Sequence, residues 1–268
     1  MSRRTVIYMA AWTLAIWSSA WVVPEVTLHG GLGGEAAAED LSSGEIEQRI
    51  RDYILQHPEV IVEALGRFEA QQQATAANQT KSVIASRRDE IFNDVATPTG
   101  GNPEGDVSIV EFFDYNCPYC RKNTPILTEL ERTDPNLRFV YKEWPILGAG
   151  SEFAARAALA SVRQGKYVAY HKAMMAVSGR IAEDKALEVA GTVGIDVKRL
   201  KRDMKDPAIQ KAIERNHDLA RALGVSGTPA FVVNDRLLPG LQEMPALQAV
   251  IRLARDSKTI SDQGAKSQ

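Results

Sequence analysis

Val107-Ser108-Ile109-Val110-Glu111-Phe112-Phe113-Asp114-Tyr115-Asn116-Cys117-Pro118-Tyr119-Cys120 holds the only two cysteines in a chain of 268 residues. Residues 107–113 are apolar, β-branched or aromatic apart from Ser108 and Glu111, the composition of a buried strand. Asp114-Tyr115-Asn116 reads as a turn, and Pro118 suits the first turn of a helix, where its missing N–H goes unneeded. The stretch therefore predicts strand, turn and helix, with Cys117 at the helix N-terminus. Unpaired backbone N–H groups and the helix dipole at that point stabilise an anion. A free thiol titrates near 8.5, and such surroundings lower it to about 3.5–7.5. Cys117 is the expected nucleophilic thiolate. Cys120, one turn inside, is the expected shielded, resolving thiol.

Other uses of a C-x-x-C pair fit less well. A structural zinc site needs two further ligands at ordinary spacing, and the four histidines (His29, His57, His171, His217) are scattered. Covalent haem attachment places histidine directly after the second cysteine, where this chain has Arg121. An inert disulfide across so short a loop would restrain very little chain. Redox chemistry remains.

The whole chain sets wider bounds. At 44% apolar residues it can build a proper core, and a net charge of −2 leaves no basic footprint for nucleic acid. Arg3 and Arg4 followed by the uncharged apolar run Thr5 to Val23 read as an export signal over residues 1–38. Cleavage is expected after Ala38, with Ala20 as the other candidate point. Because the run approaches the ~20 residues that span a bilayer, an uncleaved membrane anchor is the alternative. Either outcome places the domain outside the cytoplasm, where disulfides persist.

Residues 39–94 read as a helical extension. Ser42 and Glu45 form a capping box ahead of Ile46, Ile50 and Ile54. His57-Pro58 breaks that helix, and Ile61, Ala64, Leu65 and Phe68 repeat at helical spacing beyond it. A polar stretch at 69–82 precedes Val83, Ile84, Ile91 and Phe92. So thin a stripe buries itself poorly. It is expected to pack on its own domain or on the same segment of another chain. Thr97 to Gly105 is a turn cluster read as a linker. Leu137 to Trp144 is a second strand, about 150–224 an all-helical insertion, and Ala230 to Val233 a strand leading into a hairpin. A helix around Pro245 to Arg255 completes a domain over 95–256. The polar tail 257–268 is expected to be disordered.

Strand, C-x-x-C helix, second strand, helical insertion and then Gly227-Thr228-Pro229-Ala230-Phe231: this order resembles the DsbA-like thioredoxin-fold disulfide oxidoreductases. Glu111 to Tyr115 ahead of Cys117-Pro118-Tyr119-Cys120, with Gly227 to Ala230, carry the resemblance over about residues 95–256. The helical extension behind an export signal is similar to the ScsC branch. The resemblance implies an α/β thioredoxin fold and a cis bond between Thr228 and Pro229 beside Cys117. The Thr228 backbone would pair with an extended substrate. Glu111 matches the family's buried acid, which handles the Cys120 proton. Pro118 and Tyr119 tune the thiolate, and Tyr119 stands where strongly oxidising relatives carry histidine.

The resulting expectation is a periplasmic thiol–disulfide oxidoreductase acting on unfolded or misoxidised secreted proteins. It needs no cofactor beyond the Cys117–Cys120 pair. A homo-oligomer through the N-terminal helices favours isomerase over oxidase, and a membrane thiol–disulfide reductase or oxidase would reset the pair. The alternative is a thiol protein that holds Cu(I), since thiolates suit that ion. His171, Met174 and Met175 offer soft ligands, yet at helical spacing they read as core, and no metal site is assigned. Trp144-Pro145 reads equally as a groove wall or a core anchor.

Overall fold

In the computed structural model the described residues are 42–266, so the expected export signal or anchor at 1–38 lies outside them. The chain divides near Val60. In the N-terminal unit, helix α1 (Ser43–Gln56) carries the expected capping box: the Ser42 hydroxyl accepts from the Glu45 N–H, and the Glu45 carboxylate accepts from the Ser42 N–H at 3.0 Å. Ile46, Ile50 and Tyr53 recur on one face of α1, and all are exposed. Helix α2 (Glu59–Ser86) starts after the His57-Pro58 break. Its side chains from Ile61 to Gln79 are all exposed, including Ile61, Leu65 and Phe68 at helical spacing.

From Ile61 onward the chain forms the second unit, built on a five-stranded sheet in the order β1-β3-β2-β4-β5. The strands are β1 (Thr99–Gly101), β2 (Val107–Phe113), β3 (Leu137–Glu143), β4 (Ala230–Val233) and β5 (Arg236–Pro239). β2 and β3 run parallel, with Glu111 opposite Tyr141 and Phe113 opposite Glu143. The other pairings are antiparallel. Side-chain alternation splits the core. Val107, Ile109, Phe113, Phe139, Tyr141 and Phe231 join one cluster with both cysteines and most of the helical insertion. Val110, Phe112, Val140, Trp144, Ala230 and Val232 face the other way, onto Ile84, Ile91, Phe92 and Leu219.

The first face is covered by α4 (Pro118–Thr133), by the insertion helices α5 (Ala149–Ser161), α6 (Tyr167–Met175), α7 (Glu183–Thr192), α8 (Val197–Asp203) and α9 (Pro207–Ala222), and by α10 (Met244–Lys266). The insertion is all-helical, as its periodicity indicates.

Three boundaries differ from the sequence reading. The extension does not end at residue 94 as a separate body, because Ile84 at the end of α2, and Ile91 and Phe92 on α3 (Arg88–Phe92), are buried in the second cluster. Together with Leu219 and Ala220 of α9, these residues cover the sheet face opposite the cysteines. The Thr97 to Gly105 segment is no plain linker: Thr99–Gly101 adds an edge strand beside β3, and Gly101 takes φ +67°. The expected disordered tail at 257–268 is helical through Lys266, as α10 continues without a break. Arg255 ties that helix to Asp106 and Asp134 at 2.7–2.8 Å.

Candidate active site

Cys117 is the N-cap of α4, with φ −79° and ψ 118°, and Pro118 follows in the first turn. The turn is closed by the Cys117 N–H donating to Asp114 O at 3.0 Å. Across the site the Thr228–Pro229 bond is cis, and Cys117 Sγ lies 3.2 Å from Thr228 O, a hydrogen bond that its thiol form can donate. The two motifs of the sequence, 111 positions apart, thus meet at one sulfur. Cys120 is fully buried, while Tyr119 between the cysteines is 59% exposed. The two cysteines are not bonded to each other.

Electrostatics separate the two thiols. Hydrogen bonding from the Cys120 thiol, opposed by burial and helped by Thr228 and by the Cys120 and Tyr119 N–H groups, lowers Cys117 to about 6. The neighbouring thiol is thus a larger cause than the helix-end N–H groups that the sequence suggested. Burial first, then the bond to Cys117 and the charge of Glu111, push Cys120 far up. One sulfur is a thiolate at neutral pH and the other is a thiol. Half-maximal alkylation of Cys117 by iodoacetamide is therefore expected near pH 6, and at higher pH in Cys120→Ala, which loses the largest cause of the lowering. Coincident midpoints in the two proteins would contradict the assignment.

Glu111 is 4% exposed on the face of β2 shared with the cysteines, and its Oε1 has no hydrogen-bond partner among the described residues. Burial, then the Cys117 charge, push its carboxyl up to about 8. The carboxyl is thus protonated at neutral pH while Cys117 is a thiolate, and it becomes a base for the Cys120 proton once a mixed disulfide removes the Cys117 charge. The structure therefore brings together Cys117, Cys120, Glu111, Pro118, Tyr119, Thr228 and Pro229. Trp144 is buried and donates through Nε1 to His217 Nδ1 at 3.0 Å, a core anchor. His171, Met174 and Met175 are buried in the insertion. Among the described residues no group of three or more His, Cys, Asp or Glu side chains converges.

Several supporting groups escaped the sequence reading. Buried Asp114 accepts from Asn116 N–H at 2.7 Å and from the N–H groups of Ile146 and Leu147 at 2.8 and 2.9 Å. It thereby joins the redox turn to the segment after β3. Glu143 Oε1 accepts from Tyr115 at 2.9 Å and Tyr167 at 2.7 Å, with His171 Nδ1 3.2 Å from the Tyr115 hydroxyl. Burial raises the Glu143 carboxyl, against the pull of those two phenols, and lowers His171 to about 3. Lys142, on the other face, is buried, donates to Glu90 O and Thr97 Oγ1 at 2.7 and 2.8 Å, and is brought down to about 8 by burial. The signal available was the pair Lys142-Glu143 within a strand: adjacent residues point to opposite faces, so a strand covered on both sides must bury both charges.

Comparison with known proteins places this site. The DSBA-like thioredoxin domain family matches residues 108–252, and the copper resistance protein ScsC N-terminal domain matches residues 44–75. A thioredoxin-like oxidoreductase from Silicibacter pomeroyi is 53% identical, aligning over 63% of this chain and 98% of its own, with a TM-score of 0.62. The thiol-disulfide exchange protein alpha-DsbA2 from Wolbachia pipientis is 32% identical over 66% of this chain and 97% of its own, with a TM-score of 0.61. Proteus mirabilis ScsC, in a transitional conformation, is 26% identical over 80% of this chain and 97% of its own, with a TM-score of 0.60. The chain also spans about a quarter (26%) of the Na(+)/H(+) antiporter NhaA 3 of Salinispora tropica, at 29% identity. No described helix is long and apolar enough to cross a membrane. With the family match covering the strand, both cysteines, the insertion and the cis-proline, the chain belongs to the DsbA-like thioredoxin-domain family, in its ScsC-like branch.

Proposed function

We propose that the protein is a periplasmic thiol–disulfide oxidoreductase that rearranges disulfides in secreted proteins, working as an isomerase. The observation that carries the chemistry is the asymmetry of the thiols, with Cys117 lowered to about 6 on the end of α4 and Cys120 buried and held protonated. The Cys117 thiolate attacks a substrate disulfide, one substrate sulfur leaves as thiolate, and a mixed disulfide forms. That substrate thiolate either attacks elsewhere, which isomerises the substrate, or stays free. In the latter case the Cys117 charge that helps to raise Glu111 is gone, the carboxyl releases its own proton to solvent and takes the one from Cys120, and the Cys120 thiolate attacks Cys117 Sγ. The Cys117–Cys120 bond forms and the second substrate sulfur is released as thiolate. A membrane thiol–disulfide reductase then resets the pair, and no other cofactor is needed.

Isomerisation is favoured by the exposed apolar stripes of the extension. Ile46, Ile50 and Tyr53 on α1, with Ile61, Leu65 and Phe68 on α2, are 44–58% exposed in the single chain. Apolar faces of this kind usually mark an association surface. Joining copies of the chain would set several Cys117 sites around one substrate. The test is refolding of scrambled ribonuclease in a glutathione buffer, paired with sedimentation. Full-length protein carrying Ile50→Glu, Leu65→Glu and Phe68→Glu is expected to sediment as a monomer and to lose most ribonuclease recovery while still reducing insulin. Shortening the chain to residue 95 would be a poor substitute, since it strips Ile84, Ile91 and Phe92 from the core. If the triple variant recovers ribonuclease as well as the parent, the isomerase reading is wrong. If the parent oxidises reduced ribonuclease but never rescues the scrambled form, the protein is an oxidase.

A further inference from the structure

The segment between α6 and α7 is bound to the redox turn from both sides of Cys117. Before the cysteine, the Asn116 side-chain amide pairs with the backbone of Ile181: Nδ2 donates to Ile181 O at 3.0 Å, and Oδ1 accepts from Ile181 N–H at 2.7 Å. The same Nδ2 donates to Ser151 Oγ at 3.1 Å. After the cysteine, Arg121, one helical turn on, donates from Nε to Tyr115 O at 2.9 Å and from Nη1 to Gly179 O at 2.5 Å. Ile181 is fully buried, and a Cβ placed on Gly150 would lie 2.5 Å from Ile181 O, so α5 packs tightly beneath this segment. The backbone at 179–181 is thus held at a fixed distance from Cys117.

Between those two anchors lies Arg180. It is exposed, and among the described residues no hydrogen bond or ion pair engages its guanidinium. Its Nη2 is 3.8 Å from the position of a Cβ on Gly148, which sets the charge over the segment that follows β3. That segment presents Ile146 and Leu147, 38% and 42% exposed, and its N–H groups are fixed to Asp114 of the redox turn. This surface, joined to the redox turn through Asp114 and Asn116, therefore combines a cation that has no partner among the described residues with apolar side chains. Gly148, with φ +102°, keeps the space beneath the guanidinium free of a side chain.

A cation whose neighbours in the chain are bonded to Asn116 and Arg121, on either side of Cys117, can discriminate among partners by charge. We propose that Arg180 is a specificity residue that selects substrate segments carrying a carboxylate close to the reacting cysteine. The inference rests on the oxidoreductase reading above and adds a substrate class to it: an extended, acidic, cysteine-bearing peptide. The carboxylate makes a charge-assisted hydrogen bond to the guanidinium, while the substrate backbone lies along Thr228.

The test uses the full chain with its Cys117–Cys120 pair oxidised and three synthetic peptides. Each has two cysteines, flanked by aspartates, by lysines or by serines. Each reaction passes two electrons: the peptide thiols become a peptide disulfide, and the protein disulfide becomes Cys117 and Cys120 thiols. At low ionic strength the aspartate peptide is expected to be oxidised roughly 3–10 times faster than the lysine peptide, the gap closing in about 0.5 M salt. Arg180→Gln should bring the ratio near one, and Arg180→Glu should invert it. A ratio unchanged in both variants, or absent from the parent, overturns the proposal for Arg180. If the parent oxidises none of the three peptides, the oxidoreductase reading itself has failed.

Discussion

Cys117→Ser is expected to reduce insulin no faster than the small-molecule reductant alone, a loss of at least about 10³-fold. The size of the effect follows from the division of labour at the helix end. Cys117 is the thiol lowered to about 6, and its sulfur lies 3.2 Å from the Thr228 carbonyl, where an extended substrate would align. Cys120 cannot substitute. It is fully buried, and burial holds it as a thiol, which is a poor nucleophile. Cys120→Ala is expected to fail differently, since attack proceeds but the mixed disulfide persists. Insulin turbidity read alongside the amount of covalent adduct separates the two defects. Near-normal turnover in Cys117→Ser would refute the assignment of the nucleophile.

The second large effect belongs to Glu111, and it has opposite signs for stability and activity. Burial pushes this carboxyl from its ordinary 4.5 up to about 8, so at neutral pH the folded chain holds a proton that the unfolded chain has released. The stability tied to that proton is fully present below 4.5 and is lost as pH rises through 8. Glu111→Gln keeps the neutral shape and removes the titration. The variant should therefore be more stable than the parent at pH 7, by on the order of 3 kcal/mol, with the two proteins converging below pH 4.5. Resolution of the mixed disulfide should meanwhile slow by about 10²-fold, as expected when a general base is removed. Urea unfolding across pH, together with acid-quenched decay of the adduct, measures both. Unchanged stability with unchanged resolution would show that Glu111 is neither buried as a neutral acid nor engaged with Cys120.

Much of this site was legible because its parts are local. Val107 to Cys120 specifies strand, turn and helix cap through composition and one proline, and Gly227 to Pro229 marks the opposite wall. Glu111 stood out as a lone acid in an apolar strand. The groups that escaped notice depend on long-range packing. Lys142 and Glu143 look like ordinary surface charges at the end of a strand. They are buried because β3 lies between β1 and β2 and both its faces are covered. Arg180 offers no pattern of its own, and only the anchoring of Gly179 and Ile181 to Arg121 and Asn116 ties its segment to the redox turn. Ile84 and Phe92 looked like the end of an arm, and they help to close the second face of the core because the insertion supplies only the end of α9 and Leu223 to it.

The division between an attacking and a resolving thiol is tested most directly by covalent trapping. Cys120→Ala and Cys117→Ser each keep one cysteine, and each would be mixed with scrambled ribonuclease, quenched in acid and read by intact mass. A reductant-sensitive adduct in Cys120→Ala, with none in Cys117→Ser, is the expected result. Adducts of equal yield in both variants, or none in Cys120→Ala, would contradict it.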